Sequence, residues 1–377
     1  MLAELGIRNF KAIRQGNFAL RNLSLLTGVN GVGKSSVLQS LLLLRQSYRE
    51  RFLDYSCPML VLNGPLVNIG QAKDAYSQFG EEGCVELSIR SDNGIFSKWA
   101  FMASPAEGEV LQLAQDRSSV DRAIFDQNLF TNRFQHIPAE RLAAMTTYPA
   151  SQFNVSNLHQ FGPQARYAVH LLHSCREQPL AIPQLRHETT NPEDNTVLSS
   201  VRAWLGEISP GIKLSTYLFE NIDQVQLTFQ YDAGLERGMT NEFRPINVGF
   251  GITYVLPLII AILTAAPGDF LAIENPESHL HPRGQSRMGK LCSIAAQNGV
   301  QLLIESQSDH FLNGIRLSAR NEIVDPEKVA IFFLDRTVGS ETHSVTIRTP
   351  QLDRDGKLSE WPDGFFDEWD NIVFALA

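Results

Sequence analysis

Cysteine is scarce and scattered in this chain: Cys57, Cys84, Cys175 and Cys292 lie far apart, and no C-x-x-C pair occurs. That pattern excludes a disulfide-stapled framework and a zinc ribbon, and reads as reduced thiols in a core. Long apolar runs are also missing. The longest, Val255 to Ala266, contains Pro257 and falls short of the roughly 20 residues that span a bilayer, so it reads as a buried helix. No basic stretch followed by an apolar block opens the chain, and a cytoplasmic protein is expected. Positive charge is in deficit, with 32 Lys and Arg against 41 Asp and Glu, a net charge of −9. A broadly basic nucleic-acid surface is therefore disfavoured, while a local basic groove is still compatible. Internal repeats and low-complexity tracts are absent. What is present, 377 residues with 43% hydrophobic content, suits two domains or one large α/β domain with an insertion.

Residues 28–35 read Gly28-Val29-Asn30-Gly31-Val32-Gly33-Lys34-Ser35, the G-x-x-x-x-G-K-S spacing of a phosphate-binding loop. Glycines let successive backbone N–H groups turn toward phosphates, and the helix that follows adds its positive N-terminus. Lys34 can reach the β- and γ-phosphates, the Ser35 hydroxyl can ligate Mg²⁺, and the cradle runs from Asn30 through Gly31, Val32 and Gly33 to Ser36. The context is right: Leu23 to Leu26 form a short strand before the loop. Val37, Leu38, Leu41, Leu42 and Leu44 give the following helix an apolar face. The chain is expected to bind a nucleoside triphosphate.

Strands are expected at Leu2 to Ile13 and Phe18 to Leu26, a helix at 37–50, and β structure from Cys84 to about Leu113. Residues 115–135 read as polar surface or helix, and 140–195 as irregular apart from a helix at 164–175. A helix at 196–207 and strands at 212–218 and 225–231 follow. From 245 onward helices alternate with apolar strands at 270–273, 300–305 and 329–334, the doubly wound pattern of a mostly parallel sheet flanked by helices. Phe270-Leu271-Ala272-Ile273-Glu274 ends in a carboxylate, the type of group that holds Mg²⁺ or its waters in phosphate-loop proteins. A second strand ends in Glu305-Ser306-Gln307-Ser308-Asp309-His310, and polar groups at such strand ends are where an open α/β sheet keeps its ligand.

These blocks resemble the ABC-type ATPase heads of the SMC/RecF and OLD group, and most of all the small stand-alone bacterial AAA-type ATPases found in phage-defence operons. The resemblance rests on the N-F-K strand (Leu5 to Ile13), the phosphate loop, Glu274 to Pro282, Glu305 to His310, and Asn247-Val248-Gly249-Phe250-Gly251 before an apolar helix. The tail Trp361-Pro362-Asp363-Gly364-Phe365-Phe366-Asp367 resembles the family's ending; residues 90–240 match loosely. The resemblance implies an ABC-type head with an antiparallel β subdomain and an inserted α/β segment, divided as 1–90, 91–240 and 241–377. It implies ATP and Mg²⁺ as cofactors, with Ser35 and Glu274 at the metal and Gln71 as a further candidate metal residue. It also implies a homodimer or higher homo-oligomer, in which Gly249 and Gly251 complete the ATP site of a second copy.

Two departures bear on catalysis. Asn275 stands where such heads carry the glutamate that polarises water, and an amide cannot accept a proton. Gln307 stands where they carry the histidine that senses the γ-phosphate. Glu277 is the candidate substitute base. The resulting expectation is a slow ATPase, a dimeric switch for a separate nuclease or toxin effector in anti-phage defence. Too few residues follow His310 for a nuclease domain, so none is expected. A RecF-like DNA-maintenance ATPase and a non-hydrolysing ATP-dependent scaffold are the alternatives. His279 and His281 read better as loop residues than as zinc ligands, and Asp353-Arg354-Asp355-Gly356 as a solvated turn. In His136-Ile137-Pro138-Ala139-Glu140-Arg141, a charged pair bracing a corner competes with a functional Arg141. The aromatic tail reads as packing on the sheet or as a docking motif.

Overall fold

The computed structural model describes residues 1–53, 58–81, 83–104, 108–234, 238–338 and 343–362. Strands β1 (Leu2–Phe10), β2 (Ile13–Ala19) and β3 (Leu23–Gly28) lead into α1 (Lys34–Arg49), β4 (Met59–Val61) and α2 (Ala72–Ala75). Next come β5 (Cys84–Ser91), β6 (Phe96–Met102), β7 (Val110–Leu113), β8 (Phe134–Ile137) and β9 (Thr147–Pro149). Helices α3 (Ala168–Cys175) and α4 (Val197–Ile208) precede β10 (Ile212–Phe219) and β11 (Gln224–Tyr231). The chain continues through α5 (Phe250–Leu263), β12 (Phe270–Glu274), α6 (Pro282–Gln297), β13 (Gln301–Glu305), α7 (Asp309–Arg320), β14 (Val329–Val338) and β15 (His343–Arg348).

The central sheet has the order β15-β14-β3-β13-β12-β8, and all its neighbouring pairs are parallel except β14 with β15. Its inner strands β3, β12, β13 and β14 are largely apolar because both faces are covered. Leu26, Phe270, Ala272 and Leu303 pack toward α1, while Leu25, Leu271, Ile273 and Ile304 pack toward α5, α6 and α7. A second sheet, β2-β1-β5-β6-β7-β4, is antiparallel and closes over α1 from the other side. Helix α1 is thus sandwiched, with Val37, Leu38, Leu41 and Leu42 in one cluster with Leu5, Val85, Trp99 and Phe101. A third small sheet, β10-β11-β9, packs against α3 and α4.

Register positions the site. Glu274 lies opposite Glu305, and Glu305 opposite Leu26, so the carboxyl ends of β12, β13 and β3 meet at the phosphate loop. Helices α6 and α7 approach closely at two glycines. A Cβ on Gly314 would sit 2.2 Å from the Ser286 carbonyl oxygen, and one on Gly289 2.4 Å from that of Phe311.

The expected single strand from Phe18 to Leu26 is broken at 20–22, because its halves serve different sheets, β2 the antiparallel one and β3 the central one. Residues 134–137, expected in part as polar surface or helix, form β8, the edge of the central sheet, with Phe134 and Ile137 buried. The helix expected at 164–175 starts at Ala168, after a short 3₁₀ turn at Pro163–Ala165. Strand β15 was not foreseen. The apolar run at 255–266 is largely the buried α5, and no helix among the described residues is long and apolar enough to cross a membrane. Cys84, Cys175 and Cys292 are buried and free. Cys57 and the tail from Asp363 lie outside the described residues.

Candidate nucleotide site

The loop from β3 to α1 needs its glycines. Gly28 has φ 133°, and a Cβ there would sit 2.0 Å from the Leu334 carbonyl oxygen. Gly33 (φ 105°) and Gly31 (φ 77°) also hold left-handed backbone. Val32 anchors the loop in the core and Ser36 is buried, while Asn30, Gly31 and Ser35 are exposed. Lys34 folds back over the loop, donating from Nζ to the carbonyls of Gly28 (2.8 Å) and Val29 (2.7 Å). Burial lowers its pKa, opposed by the carboxylates of Glu305 and Glu277.

Three carboxylates, Glu274, Glu277 and Glu305, lie at the strand ends next to this loop. Glu305 Oε1 accepts from the Ser35 hydroxyl at 2.9 Å. Burial pushes Glu305 up to about 7; Ser35 opposes the rise and Glu274 adds to it. Glu274 Oε1 lies 2.9 Å from His136 Nε2, and its Oε2 accepts from the Ala139 N–H at 3.3 Å. Burial alone would raise Glu274, but the His136 bond, with Ala139 and Arg141, holds it below the usual carboxylate range. Environments that push neighbouring carboxyls apart are the arrangement that acid–base chemistry requires. Glu277 is pinned from the next strand end: its Oε2 accepts from Ser306 Oγ (2.9 Å) and its Oε1 from the Gln307 N–H (2.8 Å).

Asn275 sits in left-handed backbone (φ 45°), and its N–H donates to the Glu305 carbonyl at 2.9 Å. Gln307 is exposed, and its backbone holds Glu277. Gly249 and Gly251 flank the start of α5, and a Cβ on Gly251 would sit 2.3 Å from the His279 carbonyl oxygen. Between them Phe250, 47% exposed, packs edge-on against His279 with ring centroids 4.7 Å apart. Gln71 starts α2, its N–H donating to Asp74 Oδ2 (2.9 Å); no hydrogen bond among the described residues joins it to the phosphate loop. His281 caps α6 and His279 packs against Tyr254 as well, so the two imidazoles serve separate contacts. Asp353 Oδ1 accepts from the N–H groups of Asp355 and Lys357 in an exposed turn.

Sequence reasoning located Glu305 at a strand end but did not give it a role, and it gave His136 none. For Arg141 it left two readings open. Arg141 is 6% exposed and donates to the carbonyls of Pro138 (3.0 Å), Tyr254 (3.3 Å), Asn275 (3.4 Å) and Glu274. Glu140, its expected partner in a charged pair, instead accepts from Gln164 at 3.0 Å. The signal that could have found these residues was the run 136–141 itself, once β8 is paired with β12.

Among the described residues, Thr27 Oγ1, Asn275 Oδ1 and Glu305 Oε2 are buried without a hydrogen-bond partner. Thr27 lies on β3, Asn275 follows β12 and Glu305 ends β13, and oxygen atoms of these kinds are the hard donors that Mg²⁺ takes. Glu305 also makes a testable contribution to stability. Its pKa is raised in the folded protein, so its stabilising effect is full below the unfolded value of 4.5 and is lost as pH rises through about 7. That loss is about 3 kcal/mol. In nucleotide-free protein, Glu305→Gln should remove it, and thermal melts from pH 5 to pH 8 should decline less than for the parent. Equal declines would contradict the assignment.

The model of a family described as "AAA domain, putative AbiEii toxin, Type IV TA system" matches residues 23–313. A second, described as "Protein of unknown function (DUF3696)", matches residues 324–376. No curated protein matches the chain significantly. Among solved structures, the fold is similar to an SMC head bound to the C-terminal winged-helix domain of ScpA. That match has a TM-score of 0.51 and 13% identity, and covers 93% of this chain and 98% of the other. An SMC head with an extended coiled coil, bound to the C-terminal domain of ScpA derived from Pyrococcus furiosus, gives 0.49 and 11%, with 100% and 99% covered. The SMC head domain from Thermotoga maritima gives 0.44 and 10%, with 92% and 98% covered. At 13% identity the first likeness shows fold alone, and the fold is the SMC-head-like α/β architecture that the motifs imply.

Proposed function

The chain belongs to this AAA-domain family of SMC/ABC-like ATPases, and on that premise we propose that it is a slow, ATP-gated dimeric switch controlling a separate effector. Loop N–H groups from Asn30 to Ser36 and the Lys34 ammonium take the phosphates, and Ser35 with Glu274 and Glu305 holds Mg²⁺. Bound Mg²⁺ would neutralise charge on the β- and γ-phosphates. Glu277, fixed by Ser306 and the Gln307 backbone, is the group able to take a proton from water, since Asn275 can only orient it.

The observation that carries the switch reading is the link from α5 to the hydrolysis turn. Ile246 (55% exposed) and Phe250 (47% exposed) present an apolar edge that a second copy would cover. Behind that edge, Arg141 binds the carbonyls of Tyr254 on α5 and of Glu274 and Asn275. A partner pressing on α5 would therefore act on the turn that faces the phosphates. Segment 91–240 is the part we assign to recognition, and a nuclease or toxin serving anti-phage defence is the effector class we favour.

Light scattering should show the mass doubling with ATP and Mg²⁺, and staying monomeric for Lys34→Ala; unchanged mass in both sinks the switch. Turnover should lie well below about 10 s⁻¹, a typical enzyme value. Glu277→Gln should reduce it a further 100-fold or so, the usual worth of a general base. Asn275 and Gln307 favour one rival, a scaffold that binds ATP without hydrolysis. Zero turnover in the parent protein would establish it.

A further inference from the structure

A cleft of about 670 Å³ runs along the exposed side of β8, from Arg49 at the end of α1 to His136 and Pro138. None of Gly28 to Ser36, Glu274 or Glu305 lines it, so it is separate from the phosphate loop. Its volume lies in the usual range of small-ligand sites, about 300–1,000 Å³. The lining is polar and keeps donors and acceptors to spare: among the described residues, Gln135 accepts only through Oε1 from the Phe161 N–H, and Glu140 only through Oε1 from Gln164. The guanidiniums of Arg49 and Arg166 have no hydrogen-bond or ion-pair partner among the described residues, and Arg166 Nε is buried with none. Gln135 and Asn154 supply amides, and Glu50 and Glu140 supply carboxylates.

We infer that this cleft is a second ligand site, for a phosphate-bearing ligand of mononucleotide size. Two free guanidiniums suit a phosphate, which they can bind through paired N–H donors. Glu50 and Glu140 argue against a bare anion, which they would repel, but they suit ribose hydroxyls, which need acceptors. The amides suit a base edge, which needs donors and acceptors together. A nucleotide uses all three groups; inorganic phosphate uses one and meets two like charges.

His136 gives the site a consequence. It lines the cleft, and its Nε2 is the partner of Glu274 Oε1 at 2.9 Å. A ligand that moves this imidazole re-aims the strand-end carboxylate beside the phosphate loop. Resting on the switch reading above, this makes the cleft the sensor input and His136 a positioning residue.

The test uses the full-length Lys34→Ala protein, verified as folded by circular dichroism, so that the phosphate loop does not compete. AMP, GMP, CMP and UMP are titrated by calorimetry, with inorganic phosphate and the parent nucleosides as controls. At least one monophosphate should bind. Its affinity should fall at least tenfold in Arg166→Gln and in Arg49→Gln, and phosphate or nucleoside alone should bind at least tenfold more weakly. With the intact loop saturated by ATP and Mg²⁺, that nucleotide should change turnover at least threefold, and His136→Gln should keep binding but lose the change. Absence of monophosphate binding, or binding indifferent to both arginines, overturns the site. Binding without any effect on turnover overturns the coupling. Failure of ATP to drive dimerisation would remove the switch reading and leave the binding result standing.

Discussion

Lys34→Ala should lower ATP turnover at least 100-fold and leave the melting temperature of the nucleotide-free protein nearly unchanged. The two effects separate because Lys34 has no strong partner until phosphates arrive. Its side chain is 4% exposed and donates only to two carbonyls of its own loop. Burial disfavours its charge, and attraction to Glu305 and Glu277 offsets part of that cost. Removing it forfeits two hydrogen bonds and relieves a desolvated cation, a balance of about 1 kcal/mol in either direction. In the nucleotide complex the same ammonium would lie against developing phosphate charge, where one well-placed donor contributes about 3–4 kcal/mol to the transition state. A turnover assay beside a thermal melt decides. Turnover within tenfold of the parent would remove Lys34 from the chemistry, and a large loss of stability would make it a structural brace.

The phosphate loop was legible because each of its residues acts locally: a glycine for a φ, a lysine and a serine for an oxyanion and a cation. The stretch from 270 to 334 was legible for a related reason. Its buried strands are largely apolar runs, and its helices are amphipathic enough to be told from them. What the sequence did not disclose depends on which strands are neighbours. Strand β8 has four residues, too few for any period to emerge, yet its pairing with β12 brings His136 to Glu274. The Ser35–Glu305 bond follows from β13 lying between β3 and β12, an order that no local pattern encodes. The break at 20–22 was hidden because both halves are apolar and extended, although they serve different sheets. Arg141 combined both problems: its type suggested an acidic partner, while its actual acceptors are carbonyls 113 to 134 residues away as well as one nearby.

Arg141 therefore carries the second large expectation: Arg141→Met should destabilise the protein by about 3–5 kcal/mol and reduce turnover more than tenfold. The substitution keeps an unbranched apolar stem but strips the donors from the carbonyls of Pro138, Tyr254, Glu274 and Asn275. Each buried acceptor left short costs about 1–3 kcal/mol, and only part can be recovered by relaxation. The guanidinium also lies 4.4 Å from the centre of the Tyr254 ring, a contact that methionine loses. Burial lowers the Arg141 pKa to about 10, far enough above neutrality for the charge to persist. Arg141→Lys separates charge from geometry. A single ammonium keeps the cation but cannot fork to carbonyls on three elements, so stability should recover partly while turnover stays low. Urea melts at unchanged m-value, read beside turnover, test both parts. Full activity in Arg141→Lys would mean that a positive charge suffices there, and that the forked brace from α5 to the Glu274–Asn275 turn does not set the rate.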